Sequence, residues 1–238
     1  GSLMSEPRRR ILDRLCVADA LDFIEHYPSR AERLADLWVH LVGLGLAGIG
    51  GIVLAVLSAV IGGPGMIAAT AIYAVCLIAM LGCSVAYNLA HPSKARPVLR
   101  RLDEAAIFLM IAGSYTPFTT QRFEDPAWSI GFTALVWTLA VGGVVAKLFA
   151  PRLNDVFWSV VYVIFGWLAV VAIQPMISGV SPIALGLLAA GGLIYTLGCF
   201  IFVRQGLPFR RAIWHGFVVA GAGAHYAAVM VGVVFAAQ

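Results

Sequence analysis

Apolar residues in this chain neither alternate nor recur as a narrow helical stripe. They fill whole windows of the sequence, separated by short polar or turn-rich breaks. A helix needs about 20 such residues to cross the hydrocarbon of a bilayer. Seven windows meet or approach that length, near 37–61, 66–89, 104–120, 128–149, 155–174, 181–203 and 212–235. The breaks GGPG at 62–65, FEDPA at 123–127 and APRLND at 150–155 hold glycines, prolines and acids that end and restart helices. The third window is short and carries Pro117 near its end, where a kink or a stop is expected. The pattern predicts an all-α integral membrane protein, a seven-transmembrane helix bundle without internal repeats. Residues 37–238 form the membrane domain, and 1–36 form a polar arm ahead of it.

Composition agrees with lipid as the solvent. The chain is 61% hydrophobic and 12% charged, against roughly a quarter charged in an average soluble domain. In the arm, Gly1 to Leu3 ahead of Met4 read as an expression scar. From Ile11 to Tyr27, Leu12, Leu15, Leu21, Phe23 and Ile24 fall near helical spacing. That spacing suits a helix lying on anionic lipid or a solvated helical arm equally. Cys76, Cys83 and Cys199 sit inside apolar runs and Cys16 in the arm, which argues for packing residues rather than a disulfide framework.

Charge orients the bundle. Of the 16 Lys and Arg residues, all but Arg122 fall in the arm or in or around connections on one side of the seven-span scheme. Loops rich in Lys and Arg stay in the cytoplasm, so the N-terminus is expected inside and Gln238 outside. The net charge of +4 comes from this loop bias and gives no reason to expect nucleic acid as a partner. The only lysines are Lys94 and Lys147, so the last span offers no amine for a retinal Schiff base.

Under this topology several polar residues reach one depth near the cytoplasmic side. Ser84 and Asn88, four apart, share a face at the end of span 2, and Asp103 opens span 3. His40 lies near the start of span 1, and Arg211 and His215, again four apart, open span 7. Polar groups at the edge of lipid mark either a shared cavity or simply helix ends at the interface. His225, about three turns deeper than His215, reads as a hydrogen-bonded interior histidine.

The segments ERLADLWVH (32–40), SVAYN, LDEAAIFLMIAGSYTPF and AIWHGFVVAGAGAHY resemble the hemolysin III family. That family lies within the progestin and adiponectin receptor group and is more distantly similar to alkaline ceramidases. The resemblance implies Ser-x-x-x-His on span 2, Asp at span 3 and His-x-x-x-His on span 7. The three histidines hold zinc, and Ser and Asp position its water for hydrolysis. Ser84, Asp103 and His215 match this pattern, whereas Asn88 and Arg211 stand where the other two histidines belong. Asn is a weak zinc ligand and Arg is none, which leaves His215 and Asp103 as metal donors. The expectation is therefore a degenerate site without cofactor, zinc being the alternative. Around it, Ser84, Asn88, Asp103, Arg211, His215 and His40 line an inner-leaflet polar cavity. Arg211 is expected to pair with Asp103 in place of the metal, or else to snorkel to phosphates. The function implied is non-catalytic sensing or modulation of lipid or membrane state, with membrane lipid or a small ligand as partner. The alternative is a zinc-dependent lipid amide or ester hydrolase using Ser84 and Asp103. The bacterial inner membrane is the expected location.

Overall fold

The computed structural model describes residues 21–150 and 153–237. Of the stretch Ile11–Tyr27, the residues before Leu21 lie outside these. The described residues contain helices and no strands. Helix α1 spans Arg30–Ile61, α2 Pro64–Leu89, α3 Arg96–Gln121 and α4 Pro126–Phe149. A fifth rod is built from α5 (Asp155–Gly166), a 3-10 segment (Leu168–Ala172) and α6 (Ile173–Gly179). Helix α7 (Pro182–Phe202) follows, then α8 (Arg210–Val229), which runs on through a π turn at Met230–Val234.

The breaks work through caps. Ser29 accepts from the Glu32 amide at 3.2 Å to start α1, and Asn154 accepts from the Phe157 amide at 2.8 Å to start α5. Pro64, Pro126 and Pro182 occupy first-turn positions, where no amide is needed.

Two helices begin before their apolar windows. Helix α1 starts at Arg30, not 37, because the Ser29–Glu32 pair caps it and the polar residues of its first turns face inward. Helix α3 starts at Arg96, not 104, with Arg96 and Arg100 buried in its first turns. At the other end α3 continues past Pro117 to Gln121. The threonines around that proline bond to α3's own carbonyls or to α4. Thr116 Oγ1 bonds the Ala112 carbonyl at 2.8 Å and receives Trp137 Nε1 at 2.9 Å. Thr133 donates to Thr119 Oγ1 at 2.7 Å. Such partners let a bundle tolerate proline in a span.

Six rods are long and apolar enough to cross a membrane among the described residues; α3 is the seventh and is not. It is more polar because it is central. Ala105, Ala106, Phe108, Met110, Ala112, Gly113 and Tyr115 through Thr119 are all buried on it, and α2 and α4 pack along its length. The outer rods turn Ile52, Val60, Val75, Ile130 and Phe200 outward, as lipid-facing helices do. Gly43 lets α1 approach α8, since a Cβ there would lie 2.8 Å from Val219.

Candidate polar centre

Helices α1, α3, α5 and α8 start, and α2, α4 and α7 end, at one end of the bundle. Asp36 and His40 share a face of α1, being four residues apart. Both are almost fully buried. His215 Nδ1 lies 2.6 Å from Asp36 Oδ1, and the His40 and His215 rings stand 4.4 Å apart. His40 Nδ1 is 2.8 Å from the Asp36 carbonyl, and its Nε2 is 2.8 Å from Ser84 Oγ. Asn88 Nδ2 donates to the Ser84 carbonyl at 2.9 Å and reaches His215 Nε2 at 3.4 Å. Arg211 donates to Asn88 Oδ1 at 2.9 Å.

One assignment of protons satisfies the whole chain of bonds. His215 carries its proton on Nδ1 and gives it to Asp36, leaving Nε2 to accept from Asn88. His40 gives its Nδ1 proton to the Asp36 carbonyl and accepts the Ser84 hydroxyl at Nε2. Both imidazoles are neutral in this scheme. The single Asp36 carboxylate is answered by the Arg211 charge, relayed through Asn88 and His215. The second carboxylate oxygen of Asp36 accepts from the Tyr27 hydroxyl. Burial and the Asp36 charge push that hydroxyl well above the usual tyrosine range, so it remains a donor.

Five of the residues named from the sequence, His40, Ser84, Asn88, Arg211 and His215, therefore meet. Asp103 lies near His40, Arg211 and Asp36 but bonds none of them. It is partly exposed and forms no hydrogen bond or ion pair among the described residues. Arg211 faces the bundle, but its partner is Asn88 and not Asp103, because the carboxylate nearest the histidines comes from α1.

Asp36 is the residue that sequence reasoning missed. Its signal was the spacing Asp36-x-x-x-His40, about one helical turn. A metal set drawn from His215 and Asp103 is replaced by Asp36, His40 and His215, whose donor atoms all lie within 4.8 Å of one another. One carboxylate and two imidazoles suit zinc with an open fourth position. A zinc ion held there would acidify water and polarise a carbonyl.

The polar residues bond to one another. An adjoining cavity of about 250 Å³ is apolar. It is bounded by α3, the fifth rod, α7 and α8, and Met80 reaches it from α2. Met80 lies one turn from Ser84 and Ile107 one turn from Asp103, so the cavity begins beside the polar centre. Along α3 it extends from Ile107 to Phe118, roughly 16 Å at the helical rise. His225, at its wall, bonds the Leu188 carbonyl at 3.2 Å.

A bundle of lipid-facing helices around a buried Asp–His–His centre defines a multi-pass integral membrane protein with a potential metal site. The chain belongs to the haemolysin-III-related family, whose profile matches residues 30–226. It is 33% identical over 200 residues to Hemolysin-3 of Bacillus cereus, covering 84% of this chain and 90% of that protein. It is 31% identical over 202 residues to the Hemolysin-3 homolog of Bacillus subtilis, covering 84% and 93%. The human monocyte to macrophage differentiation factor is 30% identical over 146 residues, 61% of this chain and 60% of that protein.

Proposed function

We propose that this protein binds a lipid chain in its apolar cavity and uses it to sense or modulate the state of the membrane, without catalysis. In this reading α3 is the seventh span. The N-terminus and the polar centre face the cytoplasm, and the C-terminus lies outside. The observation that carries the reading is the cavity, long along α3 and apolar in lining, ending beside a polar centre whose donors and acceptors are already paired. A linear hydrocarbon matches that shape, and its polar end would lie near Asp103, which forms no bond of its own among the described residues.

The test fills the cavity. Ala189 lines it, and Ala189→Phe should abolish binding of palmitate to the full chain in nanodiscs, read by native mass spectrometry. Little change in melting temperature is expected. Palmitate binding unaffected by the added ring would place the lipid elsewhere and end the proposal.

Hydrolysis of a lipid amide or ester is the second reading. It is favoured by the close approach of Asp36, His40 and His215, with the Ser84 hydroxyl on His40.

A further inference from the structure

The segment ahead of α1 is strapped across the polar centre. Asp22, 2% exposed, takes Arg100 Nε at 2.9 and 3.2 Å. The Ile24 carbonyl accepts from Arg96 at 2.7 Å. His26 accepts from Arg96 on Nδ1 and lies 2.9 Å from the Asn88 carbonyl on Nε2. Tyr27 bonds Asp36. The strap thus closes over the end of α2 and covers Asp36 and Asn88.

Its weak point is His26. The imidazole must present a lone pair to the Arg96 guanidinium while its other nitrogen donates to Asn88, which only the neutral ring can do. Arg96 faces it from α3 and Arg211 from α8. Asp36 on α1 is the opposing charge, and Tyr87 on α2 and Tyr27 beside it are uncharged. A proton on Nδ1 removes the acceptor and sets a third positive charge between two arginines.

We infer that the Leu21–Ser29 strap is an acid-sensitive seal on the polar centre, released when His26 is protonated. Burial first, then Arg211 and Arg96, lower the His26 pKa to about 3 in the closed state. In a released strap it returns to about 6.5. The released state therefore binds more protons between those values, and acid favours it. At pH 5 the odds of release should exceed those at pH 7.5 by about 30-fold, from those two pKa values.

Spin labels on exposed Phe23→Cys and Val98→Cys, with the native cysteines replaced, report strap separation in the full chain in nanodiscs. Asp22→Asn, which weakens the Arg100 contact, brings the released population into the measurable range. A second, longer distance should grow by that factor as pH falls. His26→Gln, or His26→Asn should Gln not fold, should remove the pH dependence. No growth in the Asp22→Asn background, or equal growth without His26, would overturn the inference.

Discussion

At the scale of residues, the site turns on which atoms are already engaged. Each ring nitrogen of His40 and His215 has a hydrogen-bond partner, and Arg211 supplies a fixed positive charge three hydrogen bonds from Asp36. A metal ion at Asp36, His40 and His215 has to displace those bonds and share the pocket with a guanidinium. Purified protein should therefore hold well under one zinc per chain, and Asn88→His with Arg211→His should raise the content toward one by removing the charge and adding two donors. Stoichiometric zinc in the unmodified chain, lost in His215→Ala, would favour the hydrolytic reading. Much of this site was legible in the sequence, because residues four apart on helices of known direction must face together. Asp36 was not, since the apolar window that marked the span began one residue after it. Asp103 was assigned Arg211 because that arginine stands where a ligand is missing and shares a face with His215, and neither ground says which of two carboxylates lies nearer.

Among the elements, the fifth rod shows what tertiary contact adds to a hydrophobic window. Its composition reads as one uninterrupted span, yet its α-helix breaks at Gly166 and resumes at Ile173. Tyr115 on α3 occupies the break. Its hydroxyl lies 3.1 Å from the Phe165 carbonyl and 2.7 Å from that of Gly166, and it receives the Ala169 amide at 2.8 Å. Backbone groups freed inside lipid need such a partner. Tyr115→Phe should cost roughly 1–3 kcal/mol, the range for leaving buried backbone groups unpaired, measured as reduced resistance to denaturation in detergent. A loss indistinguishable from zero would mean that the break satisfies itself. Window hydropathy saw neither this break nor the early starts of α1 and α3. Those depend on Tyr115, on the Ser29–Glu32 cap and on Asp22, which lets Arg100 be buried.

For the whole molecule, the bundle and its arrangement are decided by where charge is tolerated. The basic ends of α1, α3 and α8 gather at the end that carries the polar centre, while Arg122 sits at the other and bonds the Gly179 carbonyl at 2.9 Å. Reporter fusions at the N-terminus and within 91–101 should read as cytoplasmic, and fusions after Gln238 as external; termini on the same side would contradict a seven-span reading. The central place of α3 also bears on how such a chain enters a bilayer. Insertion machinery offers each segment to lipid in turn, and a charge at the middle of a segment is penalised by about 2.5–3.5 kcal/mol. Helix α3 opens with Arg96, Arg100, Arg101, Asp103 and Glu104 and ends in threonines and a glutamine, so it is a poor candidate to partition alone. In the seven-span reading it would enter together with α2 and α4, which pack along its length. The charged first turns of α3 are thus what tie its assembly to the order of synthesis.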